Sequence, residues 1–173
     1  MAKLVLTAIG DDHAGLVRAL SGVIADHGGN WETSRMAHLA GKFAGIVMVS
    51  VTDDAVDQLM LDLEPLEEQG LLEITAEVSA PAPPPSGTSL MLDLIGLDQP
   101  GIVRQVSDAL ASRDVNIEEL ETETVAAPME GGTLFKARAA LVLPEGLSTD
   151  ELTDALEELA VQLMVDIGID EAR

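Results

Sequence analysis

The chain contains no cysteine and no tyrosine, and Trp31, Phe43 and Phe135 are its whole aromatic inventory. Without thiols there is neither a disulfide framework nor a cysteine nucleophile, a composition that fits a reducing compartment. With so few rings, platforms on which nucleic-acid bases stack are nearly absent. Cations are scarce as well: 9 Lys and Arg stand against 31 Asp and Glu, a net charge of −22. The deficit runs through both halves, with 4 cations against 13 acids in residues 1–80 and 5 against 18 in residues 89–173. Duplex affinity comes largely from Lys and Arg displacing counterions from phosphates, so the expectation is no direct contact with nucleic acid. Anionic membrane surfaces are disfavoured for the same reason. The acidity itself reads as solubility or adaptation to a salty cytoplasm, with a basic protein partner as the alternative. No run of 18 apolar residues suggests a membrane span, and Met1-Ala2-Lys3 leads toward Asp11 and Asp12 without the apolar stretch and cleavage site of a signal peptide. A cytoplasmic protein is expected.

What the sequence does have is aliphatic material: 47% hydrophobic residues and a mean hydropathy of +0.24, enough for a core built from Leu, Val, Ile, Ala and Met. It also has a repeat. Shifted by 86 positions, Leu4, Leu6, Ile9, Gly10, Asp12, Gly15, Val17, Arg18, Ser21, Ala25, Asn30 and Glu32 fall on Leu90, Leu92, Ile95, Gly96, Asp98, Gly101, Val103, Arg104, Ser107, Ala111, Asn116 and Glu118. Twelve identities in a gapless window of 29 residues mark a duplication. Between the copies, the run Ala80-Pro81-Ala82-Pro83-Pro84-Pro85-Ser86-Gly87-Thr88 favours an extended polyproline path. At about 3.1 Å per residue it spans roughly 20 to 30 Å. The expected organisation is a first domain over 1–79, a proline-rich linker over 80–88 and a second domain over 89–173.

Within copy one, Lys3 to Ile9 reads as a strand, and Leu16, Val17, Leu20, Val23 and Ile24 recur at helical spacing. That helix should stop at Gly28-Gly29. Asn30 to His38 and Phe43 to Val51 read as a hairpin turning at Ala40-Gly41. A second helix starts at Thr52-Asp53-Asp54 with the stripe Val56, Leu59, Met60, Leu63 and Leu66. Leu72, Ile74, Ala76 and Val78 alternate as a last strand. Copy two repeats the order: strand Leu90 to Ile95, helix Gly101 to Ser112, strands Val115 to Val125 and Thr133 to Leu143. A capping box at Ser148 and Glu151 opens a helix carrying Leu152, Leu156, Leu159 and Leu163, and the last strand runs from Val165 to Ile169. The fold class is therefore α+β: two ferredoxin-like βαββαβ domains in tandem, with antiparallel sheets bearing helices on one face and leaving the other open to a partner. The two copies are expected to pack together, and the protein to form a homo-oligomer.

The first strand-to-helix turn is Gly10-Asp11-Asp12-His13-Ala14-Gly15-Leu16-Val17 in copy one and Gly96-Leu97-Asp98-Gln99-Pro100-Gly101-Ile102-Val103 in copy two. Free backbone N–H groups and the positive end of a helix dipole make such a turn a cradle for a carboxylate. Asp12 and Asp98 serve equally as N-cap residues. On this reading, Gly15→Val or Gly101→Val removes binding and spares the fold. Asn30 and Asn116, at equivalent positions after the first helix, offer a donor and an acceptor to an amino-acid ligand, or else cap the helix end.

Other chemistry is poorly represented. Glu118, Glu119, Glu121 and Glu123 along one strand read as a solvated edge rather than an acid pair or metal site. His13, His27 and His38 lack metal spacing, and Ser34 and Ser107 lack a glycine elbow. Gly131-Gly132 reads as a hairpin turn rather than a phosphate loop. No catalytic residue, metal or cofactor is expected.

Both turns resemble the Asp-x-Pro-Gly-[Leu/Ile]-Val signature of ACT domains, copy two keeping Pro100 where copy one has Ala14, and both copies have the Asn that follows the helix. The segment Gly28-Gly29-Asn30-Trp31-Glu32-Thr33-Ser34-Arg35-Met36, continued by Leu39-Ala40-Gly41-Lys42-Phe43, is similar to the first domain of the glycine cleavage system repressors within that family. The resemblance implies an amino-acid-responsive regulator, glycine or serine being the implied signal, that acts by contacting a DNA-binding regulator and not DNA. It also implies a ligand held between the first turn of one domain and the second strand of a neighbour. Carried over by position, the ligand-binding residues are Asp12, His13, Ala14, Gly15, Leu16 and Asn30, and Asp98, Gln99, Pro100, Gly101, Ile102 and Asn116. Two alternatives stand beside it. One is a regulatory subunit or fragment of an amino-acid or one-carbon enzyme, since formyltetrahydrofolate hydrolases begin with a similar turn, although their catalytic domain would be expected to follow copy two and the sequence stops at Arg173. The other is an oligomerisation module without a ligand.

Overall fold

A computed structural model describes residues 1–80, 83, 86–128 and 131–171. The expected linker residues Pro81, Ala82, Pro84 and Pro85 lie outside the described set. Contacts divide the chain into two units, Met1–Ala82 and Pro83–Arg173.

In the first unit, β1 (Ala2–Asp11) leads through a turn into α1 (Leu16–Asp26), followed by β2 (Asn30–Leu39), β3 (Lys42–Val51), a 3₁₀ turn (Asp53–Ala55), α2 (Val56–Glu68) and β4 (Glu73–Val78). The second unit repeats this as β5 (Thr88–Leu97), α3 (Ile102–Ala111), β6 (Asn116–Ala126), β7 (Thr133–Leu143), α4 (Thr149–Leu163) and β8 (Val165–Glu171). Each forms a four-stranded antiparallel sheet, in the order β2-β3-β1-β4 and β6-β7-β5-β8. This is the ferredoxin-like arrangement expected twice. Among the described residues no helix is long and apolar enough to cross a membrane.

The period-two pattern of β1 sends Leu4, Leu6 and Ala8 to one side of the sheet, where they are buried. Leu16, Leu20 and Ile24, four apart on α1, and Leu59, Leu63 and Leu66 on α2 lie down on that side and close the first core with Val47, Val49 and Val51 of β3. The second core uses the equivalent residues: Leu90, Leu92, Leu94, Ile102, Val106, Leu110, Leu141, Leu143, Leu152, Leu156 and Leu163. A core of this kind, almost entirely aliphatic, draws its stability from area removed from water, about 1.5–3 kcal/mol per buried Leu or Val.

The helix ends follow their residues. α1 ends where Gly28 N–H donates to Ala25 O at 2.9 Å and Gly29 N–H to Ile24 O at 2.9 Å. A basic side chain reinforces the same end in both units. The Nδ1 of His27 lies 2.8 Å from Val23 O, and Nη1 of Arg113, 86 positions on, donates to Ala109 O at 2.9 Å. Ser148 and Glu151 form the expected capping box on α4: the Glu151 N–H donates to Ser148 Oγ at 3.2 Å and the Ser148 N–H to Glu151 Oε2 at 3.0 Å. The Ser148 N–H and the Ser148 hydroxyl, both donating to its carboxylate, hold Glu151 below its ordinary value.

Two irregularities also repeat. The register of β2 against β3 shifts between Trp31 and Thr33, and that of β6 against β7 between Ile117 and Glu119. Each bulge places one unpaired residue, Glu32 or Glu118, in an edge strand. The acids Glu118, Glu121 and Glu123 lie on β6, at the edge of the second sheet, as the solvated-edge reading requires.

Candidate functional site

The strand-to-helix turns are built alike. In the first unit, the Asp12 N–H donates to Gly41 O at 2.9 Å, tying the turn to the β2–β3 hairpin; in the second, the Asp98 N–H donates to Thr133 O at 2.8 Å. The helices then begin at Leu16 and Ile102, with Gly15 (φ 104°) and Gly101 (φ 95°) as the capping residues. No side chain caps either helix, and neither has an acidic residue in its first turn. α4, with its capping box and Asp150 and Glu151 in the first turn, is the contrast. The first N–H groups of α1 and α3 therefore point outward at the positive end of a helix dipole with no internal anion to meet them.

Two expectations are corrected here. Asp12 and Asp98 are not N-cap residues: they lie three positions before the capping glycines, and their own N–H groups serve the hairpin strap. Nor do Gly15→Val and Gly101→Val leave the fold alone. Space is open around both positions, with nothing within 4 Å of a Cβ at Gly15 and only Gln105 Nε2 at 3.8 Å from one at Gly101. Their left-handed φ, however, is one that a β-branched residue adopts only under strain. The glycines are required by backbone conformation before any ligand is considered.

The surroundings of the two turns differ. In the first unit, Asp11 forms an ion pair with Lys42, which also donates a hydrogen bond to it; this holds the Asp11 carboxyl below its usual range and the Lys42 ammonium above its own. Asp12 Oδ2 lies 3.6 Å from Nε2 of His38. His13, Ala14 and Gly15 are exposed. In the second unit, Leu97 and Leu134 pair where Asp11 and Lys42 stand in the first. There Gln99 is partly buried, and its Nε2 donates at 2.7 Å to Leu163 O in the last turn of α4. Gln99 is thereby committed to closing a helix end, with less freedom to meet a ligand than His13 has.

Asn30 and Asn116 begin β2 and β6, each at the opposite end of the first helix from the turn. α1 has 11 residues, so about 16 Å of helix separates Gly15 from the region of Asn30. Register agrees: Asn30 pairs with Ser50, which pairs with Lys3 near the start of β1, whereas the turn follows Asp11 at its end. The structure thus brings Asp12 to Leu16 together, and Asp98 to Ile102 likewise, but no unit brings its own asparagine to its own turn. Both asparagines are exposed, and neither side chain makes a hydrogen bond among the described residues, so neither caps the preceding helix. Sequence reasoning missed Lys42 and the strap to Gly41. The available signal was the hairpin turn at Ala40-Gly41, which fixes Lys42 opposite Asp11.

Residues 2–77 match the ACT domain family. Two curated relatives, the glycine cleavage system transcriptional repressors of Escherichia coli (strain K12) and Shigella flexneri, are each 26% identical over 162 residues, covering 92% of this chain and 85% of theirs. A crystal structure of a Galdieria sulphuraria protein described as unknown is 31% identical, with a TM-score of 0.84 and 99% of both chains covered. Residues 2–77 are thus an ACT domain, and with the same strand order, turn and glycine cap repeated in the second unit the chain resembles a tandem ACT protein of the kind of the glycine cleavage system transcriptional repressor.

Proposed function

We propose that this protein is a transcriptional regulator that binds an amino acid through its ACT turns, works as a homo-oligomer, and acts by contacting a DNA-binding protein. The observation that carries the reading is the pair of uncapped helix starts. α1 and α3 each open on a left-handed glycine with no side-chain cap and no acid in the first turn, in a chain with 31 acidic residues. Any of those acids would stabilise a helix start by about 0.3–1 kcal/mol, so their absence at both turns leaves room for an outside carboxylate. The glycine cap lets it approach the main chain.

In this reading the turn of residues 12–16 or 98–102 holds the α-carboxylate. The amide of Asn30 or Asn116 meets the amino acid from another ACT domain, since it lies too far from its own turn. The first unit is the better site, because His13 is exposed there while Gln99 is held by Leu163. The net charge of −22 supports a protein partner over DNA, and the names of the two curated relatives support repression as the output. The ACT match of the first unit and those relatives weigh against catalysis by this chain.

The test is a thermal-shift screen against the common amino acids. A ligand that binds only the folded state stabilises it by about 2.7 kcal/mol at a hundred times its Kd. A selective shift with glycine or serine, lost in Ala14→Glu, is the expected result; that substitution is at an exposed turn position and sets a carboxylate where the ligand's would lie. No shift at millimolar concentration with any amino acid would remove the ligand from the reading.

A further inference from the structure

Two charged rows cross the second sheet side by side, on the face away from the helices. In one, Glu121 of β6, Arg138 of β7, Asp93 of β5 and Gly168 of β8 are paired in turn; in the next, Glu123, Lys136, Ile95 and Asp166. A third row, Glu119, Ala140, Met91 and Asp170, continues the face on one side, and Val125, Leu134 and Leu97 continue it on the other. In the first sheet the places of the two charged rows hold Arg35, Ile46, Thr7 and Thr75, then Ala37, Ala44, Ile9 and Glu73, with no cation on β1 or β3. The charged rows of the second sheet enclose a groove of about 830 Å³, within the range of small-molecule sites. Gly168 opens its floor, since a Cβ there would meet nothing within 4 Å; Thr75 stands at that place in the first sheet. Two cations and the four acids Asp93, Glu121, Glu123 and Asp166 line the groove, a net charge of −2. The cations hold their acids loosely. Arg138 Nε is 3.6 Å from Asp93 Oδ1 and Lys136 Nζ is 3.7 Å from Glu123 Oε1. Both exceed the roughly 2.7–3.2 Å of an N–H···O bond, so both side chains keep donors to offer a ligand.

We infer that this groove is a second ligand site, and that it takes an amino acid with a cationic side chain, of the chemistry of lysine. Charge is the first argument. A groove with two cations in the middle and acids on both flanks matches one carboxylate between two cationic groups, and its net −2 rejects a simple anion. Spacing is the second. Lys136 and Arg138, two positions apart on β7, share a face about 7 Å from one another, close enough for one carboxylate to accept from both. The α-ammonium then meets Glu121 or Glu123, one strand and about 4.8 Å away. On the other side the aliphatic stem crosses Ile95, which is 39% exposed, and the gap over Gly168 toward Asp166. Asp166 lies two strands, or about 10 Å, from β7, a span closed by a four-methylene stem of about 6 Å and one N–H···O bond of about 3 Å. Glycine and serine lack the stem and the second cation and leave Asp166 unmet, so this site and the turns select different amino acids. Because every contact is ionic and open to water, added salt weakens binding.

The site stands apart from the turns, none of whose residues lines it, and the experiment separates the two. The full isotope-labelled chain is titrated with L-lysine and followed by two-dimensional amide NMR. The expected result is a set of saturable shifts centred on Arg138, Asp166 and Gly168, with a Kd on the order of 1 mM or below. Cadaverine keeps both ammonium groups and has no carboxylate, and norleucine keeps the carboxylate and stem without the second cation; each should bind about tenfold more weakly than lysine. Gly168→Val fills the floor with a residue that favours strands, and Arg138→Met keeps the stem and removes the charge. Each should weaken lysine binding about tenfold with an unchanged circular dichroism spectrum, while Ala14→Glu should leave it as it is. Absence of saturable shifts at about 20 mM lysine, well above that Kd, overturns the site. So does cadaverine binding as tightly as lysine, or an unchanged Kd in Arg138→Met or in a folded Gly168→Val. Shifts confined to residues 12–16 and 98–102 overturn it while supporting the turns as the amino-acid site.

Discussion

Replacing Met164 by glycine should make the protein more stable, although it removes a methionine and adds a flexible residue. Met164 ends α4 with φ 52° and ψ 48°, in the left-handed region, and is 77% exposed. In the first unit the residue that follows α2 in this conformation is Gly70, with φ 69°. A non-glycine residue in the left-handed region costs about 1–2 kcal/mol. Glycine recovers that and loses about 0.5–1 kcal/mol to the larger freedom of the unfolded chain. Little packing is forfeited, so the net gain is about 0.5–1 kcal/mol, or roughly 2–8 °C in the melting temperature of a unit this size. Trp31 gives the assay its resolution. With one tryptophan and no tyrosine in the chain, Trp31 fluorescence reports only the first unit, while far-ultraviolet circular dichroism reports both. Met164→Gly should raise the dichroism transition of the second unit and leave the fluorescence midpoint where it was. A lower or unchanged dichroism midpoint would refute the strain argument and assign Met164 a packing role that its exposure conceals.

Asp114, φ 55°, occupies the position equivalent to Gly28, φ 65°; Asp114→Gly should stabilise by less than Met164→Gly, because aspartate tolerates this conformation better, and the same two-probe melt checks it. Ser148→Ala removes the capping box and should cost about 1 kcal/mol, read as a lower dichroism midpoint at pH 7. The Asp11–Lys42 pair should make a pH-bounded contribution. Since Asp11 is held below its ordinary 3.8 and Lys42 above its ordinary 10.5, the pair stabilises fully between those values. The contribution is lost as the pH falls through the folded Asp11 value or rises through the folded Lys42 value. The difference in melting temperature between wild type and Lys42→Met should be present at pH 7 and shrink toward pH 3; a difference independent of pH would assign Lys42 a packing role instead.

The fold was legible because each signal was a period. Leu4, Leu6 and Ala8 at spacing two, and Leu16, Leu20 and Ile24 at spacing four, announce a strand and a helix sharing one core, and the shift of 86 announces the second copy. What periodicity could not supply was conformation at single residues. Asp12 three positions before a glycine looks like a cap until the φ of Gly15 moves the helix start to Leu16. The asparagines were recognised as equivalent, but a linear motif does not reveal that Asn30 and Gly15 stand at opposite ends of α1. Gln99 and His13 occupy one aligned position, yet only tertiary contact shows that Leu163 O takes the amide of the first. The cross-strand pairs were also invisible, since they rest on the register that sets Ile46 beside Thr7 and Arg138 beside Asp93.

The bulges at Glu32 and Glu118 date the architecture. Trp31 and Met36 both pack on the first core although five residues separate them, an odd interval that a regular strand forbids, and the extra residue at 32 resets the alternation between them. An identical reset falls 86 positions later, between Ile117 and Glu119. An insertion absorbed as a bulge, so that every later residue in its strand keeps its facing, is hard to acquire twice at one place. It therefore preceded the duplication, and the ancestral single unit already carried an aspartate-glycine turn, an asparagine and a parity shift in that order along the chain. Deleting Glu32 would undo the oldest of these events that the fold still records, leaving Trp31 and Met36 four positions apart on one face of a regular strand with no bulge between them.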